Sequence, residues 1–122
     1  MPPPNLTVLH PADTPSLTFD WGTLRWVCNG ALSPGALQTV GVSETLPGQR
    51  NPLHYHPNCE EVLHVVSGEC DHRCDDAWVR LGPGSTIVIP AGVRHHLVNR
   101  GAEKLVCLIC FSSPDRQTVF LE

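Results

Sequence analysis

The chain has 122 residues and 13.3 kDa, with 41% hydrophobic and 16% charged residues, which fits one domain with a real core and excludes both a disordered chain and a two-domain cofactor enzyme. Its net charge is -4, with eight Lys plus Arg nowhere concentrated, so the electrostatic footprint of a nucleic-acid binder is missing. No apolar run is long enough for a membrane-spanning helix.

Residues 1–15 contain Pro2, Pro3, Pro4, Pro11 and Pro15, which forbid a helix or a central strand and predict an extended arm. With neither a basic leader nor an apolar core at this start, no secretory signal is expected, and the expected location is cytoplasmic. From residue 17 onward, short segments rich in β-branched, aromatic and leucine residues predict strands at 17–19, 23–28, 37–46, 61–66, 78–81, 85–89, 95–99, 104–111 and 118–121. Gly, Pro, Asn and Asp bound them, with a hairpin tip at Asp75-Asp76 and a tight turn at Gly82-Pro83-Gly84. Many short strands at this spacing, without helical periodicity, predict an all-β sandwich or barrel. The expected division is an arm with the first strands over 1–28, a barrel over 29–113 and a strand or tail over 114–122.

Six cysteines in a chain expected in a reducing compartment read as free thiols rather than disulfides. Cys107 and Cys110 differ by an odd number, so on one strand their sulfurs face opposite sides and cannot share a zinc ion. Cys70, His72 and Cys74 have even spacing and share a face, which makes a second metal site conceivable, with packed thiols the preferred reading. Cys28 and Cys59 read as structural.

His54 and His56, two apart and stiffened by Pro52 and Pro57, turn both imidazoles to one side of an extended segment. Glu61 faces inward with Leu63 and Val65, while Glu60 faces out. The Pro90-Ala91-Gly92 turn delivers His95 to the start of another strand, inward with Leu97 and Asn99. Three imidazoles and one carboxylate suit one divalent transition metal ion (Fe, Mn, Ni or Zn) and leave two positions of an octahedron open. Their formal charge with the ion is +1, which favours water, hydroxide or an anionic oxygen donor, so small carboxylates, enolates and diketones are the expected ligands or substrates.

Gly48, His54, His56, Glu61 and Gly68 meet G-x5-H-x-H-x3-4-E-x6-G, and Gly84, Pro90, Gly92, His95 and Asn99 meet G-x5-P-x-G-x2-H-x3-N. With both motifs complete, the chain resembles a small single-domain member of the cupin superfamily, over roughly residues 30–111. The resemblance implies a double-stranded β-helix (jelly-roll) barrel around a pocket, with His54, His56, Glu61 and His95 as metal ligands and the glycines as turn residues. It also implies a metal-dependent enzyme of dioxygenase, decarboxylase or isomerase type, or alternatively a receptor-like binding protein with the same pocket. Because cupins commonly pair, a homodimer is expected, with the arm and the strand at 21–28 adding to a neighbour's sheet.

Arg50 and Arg94, each within four residues of an expected ligand, are the candidates for binding a substrate carboxylate. Trp21, Trp26 and Trp78 read as core or interface in preference to pocket wall. By outward parity His64 and His96 read as surface or interface residues; His10 has no assigned role, and His72 has no fixed register. No lid carrying a second acid is visible, which disfavours oxalate-type decarboxylation.

Overall fold

The computed structural model describes residues 6–122, so the expectation for Pro2, Pro3 and Pro4 lies outside the described residues. One sheet contains β1 (Ser16–Phe19), β2 (Gly22–Cys28), β3 (Thr39–Thr45), β5 (Glu61–Ser67), β8 (Thr86–Ile89) and β10 (Leu105–Phe111). The other contains β4 (His54–Tyr55), β6 (Cys70–Cys74), β7 (Ala77–Leu81), β9 (His95–Val98) and β11 (Val119–Phe120). The orders are β1-β2-β3-β10-β5-β8 and β11-β4-β9-β6-β7, antiparallel throughout. This is the all-β architecture expected from the short strands, in the jelly-roll form that the resemblance implies.

Three local expectations are corrected. The arm is not extended throughout, because Pro11–Asp13 forms a 3-10 turn whose Asp13 carboxylate accepts the His10 backbone N–H. Pro11 starts that turn at no cost, since the missing N–H would have had no partner there. The strand at 21–28 is not free to join a neighbour's sheet: β2 is paired on one side with β1 and on the other with β3. Strand β6 is absent from the expected strand segments, since Cys-Asp-His-Arg-Cys lacks β-branched residues, although the shared face of Cys70, His72 and Cys74 already implied extended chain there; it pairs with β7 across the Asp75-Asp76 turn and with β9.

Inward residues grade from polar to apolar along β5 and β9 and are apolar throughout β10. On β5 they run Glu61, Leu63, Val65; on β9, His95, Leu97; on β10, Phe111, Ile109, Cys107, Leu105. Val65, Cys70, Leu81, Leu105 and Cys107 belong to the buried apolar cluster, and Glu61, His95 and Phe111 lie at the opposite end of their strands. Strand β3 turns Thr39, Gly41, Ser43 and Thr45 inward, which makes room for Trp26: a Cβ on Gly41 would stand 2.6 Å from its ring. At Gly68 a Cβ would stand 2.8 Å from the Lys104 carbonyl, and φ there is 84°, so this turn requires glycine. Fully buried Asn99 donates to the Thr45 and Glu103 carbonyls at 2.9 and 2.8 Å and accepts from Gly101 N–H at 2.9 Å, which ties three segments together.

Candidate metal centre

Strand pairing sets two donors side by side. His54 of β4 is the cross-strand partner of His95 of β9, with ring centroids 4.3 Å apart. His56 follows β4 at the same parity, and Glu61 opens β5, where it is paired with Phe111 on one side and Ile89 on the other. All four side chains are buried, and one ligand atom from each lies within 4.8 Å of the others.

Backbone carbonyls orient the imidazoles. His54 Nδ1–H donates to Pro52 O at 2.7 Å, His56 Nδ1–H to Gln117 O at 2.9 Å, and His95 Nδ1–H to Val93 O at 2.9 Å. A carbonyl only accepts, so each Nδ1 carries hydrogen and each neutral ring keeps its lone pair on Nε2. His56 Nε2 and His95 Nε2 then face Glu61 Oε1 at 3.1 and 3.0 Å. In the neutral rings these are acceptor-to-acceptor contacts, favourable only with a cation or an added proton between them. The donor set therefore fits a metal, and the cofactor is one divalent transition metal ion.

Burial lowers His54 to about 4, with the nearby His95 acting in the same direction, so its ring is neutral near pH 7. Burial alone would push the Glu61 carboxyl up, but with an added proton on Nε2 the hydrogen bonds from His56 and His95 and their charges outweigh it and hold it well below the usual range. Burial would likewise lower His95, but its hydrogen bond and charge interaction with Glu61 raise it.

Above the donors is a cavity of about 180 Å³ with mainly apolar walls, including Trp21, Trp26, Leu97 and Phe120. Trp26 packs against the buried apolar cluster, as the core expectation has it, and also lines the cavity, where small inward residues on β3 leave space beneath β2; Trp21 lines the cavity as well, which the core or interface expectation did not include. Trp78 is half exposed and stands edge-on to His96 at 5.4 Å. That cover corrects the surface reading of His96, which is only 2% exposed, with neither ring nitrogen hydrogen-bonded. His72 also lines the cavity, stacked 5.9 Å from His95, with Nδ1 3.5 Å from Cys74 Sγ. Among the described residues Cys70, His72 and Cys74 share a strand face but form no metal-binding group.

Neither expected arginine lines the cavity. Arg50 pairs with Glu122, and Arg94 pairs with Asp75 at 3.5 Å, both side chains about half exposed. The arginine in the wall is Arg116, carried by the segment between β10 and β11. That segment also supplies Thr118 to the wall and the Gln117 carbonyl to His56. Its recruitment rests on distant contacts, including Thr39 Oγ1 donating to Ser113 O at 2.7 Å and Asn58 Nδ2 to Asp115 O at 2.8 Å. No local sequence pattern announces such contacts.

Residues 41–111 match the family model described as the cupin domain. Germin-like protein 3-8 of Oryza sativa subsp. japonica is 35% identical over 94 residues, covering 70% of this chain and 41% of that one. Protein SchB of Streptomyces halstedii is 39% identical over 62 residues, covering 51% and 45%. The chain thus spans under half the length of both relatives. Among solved structures, the Lactobacillus farciminis oxalate decarboxylase formate complex superposes with a TM-score of 0.84 at 25% identity, covering 92% of this chain and 35% of that one.

Proposed function

The chain belongs to the cupin domain family and is a metal-dependent cupin; from that premise we propose that it is an enzyme of oxygenase, decarboxylase or isomerase type acting on a small oxygen-rich or carboxylate-bearing molecule. His54, His56, Glu61 and His95 would hold the ion, the histidines through Nε2 and Glu61 through its carboxylate. The observation that carries this reading is the fixing of three Nδ1–H groups by three backbone carbonyls, which pre-orients the Nε2 lone pairs beside a buried carboxylate. When bound, the ion supplies Lewis acidity and, if iron or manganese, the capacity to engage dioxygen. The protein supplies a largely apolar chamber that limits water at the reacting end. His72, lowered to about 4 by burial and by His95, is a neutral imidazole in the chamber wall, able to hold a substrate hydroxyl by hydrogen bonding.

Assays of iron-, manganese- and zinc-loaded protein against small diketones and organic acids, with and without oxygen, test the reading. Turnover that follows the metal supports an enzyme; tight binding without product favours the receptor-like alternative. That alternative is supported by Glu61 being, among the described residues, the sole carboxylate in the wall, with no second acid beside it for oxalate-type decarboxylation.

We also propose a homodimer formed through the outer face of the larger sheet. There Val40, Val42, Val62, Val88, Leu108 and Cys110 neighbour one another across β3, β10, β5 and β8, and Val88 and Leu108 are exposed. Sedimentation at the monomer mass would refute it. A cytoplasmic location is supported by six free cysteines, and detection of a disulfide in freshly isolated protein counts against it. No helix among the described residues is long and apolar enough to cross a membrane.

A further inference from the structure

We propose that Arg116 anchors the carboxylate of a single-ring aromatic acid whose ring lies in the apolar chamber next to the metal centre. The proposal rests on the metal-centre reading above and adds the chemical class of the ligand.

Among the described residues Arg116 is the only arginine or lysine in the cavity wall. Among the described residues it has no carboxylate within ion-pair distance. Its side chain makes one hydrogen bond, from Nη1 to Thr118 Oγ1. Aromatic rings occupy its surroundings: the guanidinium carbon is 4.4 Å from the Trp26 centroid and 5.1 Å from that of Phe111. A guanidinium has five N–H donors in a planar fork, so most of its donors have no side-chain acceptor. A half-buried cation held this way matches a carboxylate in charge and in bidentate geometry.

The rest of the chamber selects the body of the ligand. Phe19, Trp21, Leu24, Trp26, Phe111 and Phe120 supply apolar wall to a cavity of about 180 Å³, and a dry apolar cavity of about 150 Å³ holds benzene. One ring therefore fits. Oxalate carries two charges and no apolar surface, and would leave these walls without a partner.

The anion subsite adjoins the metal centre. Phe111 separates them by one ring, with its centroid 4.9 Å from that of His56. Thr118 Oγ1, which accepts from Arg116, is 3.3 Å from His56 Nδ1.

Calorimetric titration of the zinc-loaded full chain with benzoate, benzamide and oxalate tests this. Benzoate should bind at least tenfold tighter than its neutral isostere benzamide, and tighter than oxalate. Arg116→Gln should weaken benzoate roughly ten- to a hundredfold while zinc content and benzamide binding stay unchanged. Arg116→Lys, which keeps the charge but loses the fork, should fall between. Equal affinity for benzoate and benzamide, preference for oxalate, or undiminished benzoate binding in Arg116→Gln overturns the proposal. Should Arg116→Gln fail to melt cooperatively, Arg116→Lys and the benzoate and benzamide comparison on the metal-free chain decide, because zinc itself also favours a carboxylate. Metal analysis keeps the two readings apart: failure to load zinc sinks the metal centre, and Arg116-dependent benzoate binding by the metal-free chain then decides the anion subsite on its own.

Discussion

The two ends of the barrel interior are built on the same strands and do opposite work. At one end Val65, Leu105, Cys107, Cys70 and Leu81 exclude water with few polar demands. At the other, Glu61, His54, His56 and His95 are buried at a desolvation cost that only paired charges and hydrogen bonds offset. Stability and chemistry are thus divided along a strand rather than between domains, so substitutions a few residues apart should report on different properties.

The sharpest way to break this division is His95→Ala. It should lower zinc affinity, measured by competition with a chelator, by more than the ~10–100-fold typical of losing an outer-shell partner. Unchanged uptake would show that the polar end does not act as a unit. Leu105→Ala at the dry end should cost about 2–5 kcal/mol in denaturant unfolding, with zinc stoichiometry preserved. Asn99→Ala lies between the two: three hydrogen bonds disappear, and a loss of roughly 1–3 kcal/mol is expected.

The smallest effect, taken per thiol and per pH unit, is a pH dependence belonging to the dry end. Burial pushes the thiols of Cys70 and Cys107 up from 9.0 to about 11 and about 12. The unfolded chain loses these protons near pH 9 while the folded chain keeps them. The stabilisation is therefore complete below pH 9 and declines as pH rises toward 11–12, by up to about 1.4 kcal/mol per pH unit for each thiol. Urea titrations of the native chain and of Cys107→Ala at pH 8 and pH 10 should differ in slope, and identical slopes would refute the assignment.

The polar end was largely legible before any coordinates, because spacing alone places His54 with His56, and parity puts Glu61 and His95 on inner faces. Arg116 was not, since its approach depends on contacts between residues far apart in the chain. Arg50 and Arg94 show the converse: nearness in sequence to a donor says nothing of direction, and each turns to a surface acid instead. His96 shows a related effect. Parity identifies the face of a strand correctly, but an outer face is exposed only if nothing lies over it, and Trp78 does.

The carbonyls of Pro52, Val93 and Gln117 come from three separate stretches of chain, so rigidity at the centre is settled by folding, before an ion arrives. A cradle made in advance from nitrogen and oxygen donors ranks first-row divalent ions mainly by their common affinity order. Which element fills it is then governed by cellular supply, and the same polypeptide produced in hosts with different metal pools should emerge carrying different elements.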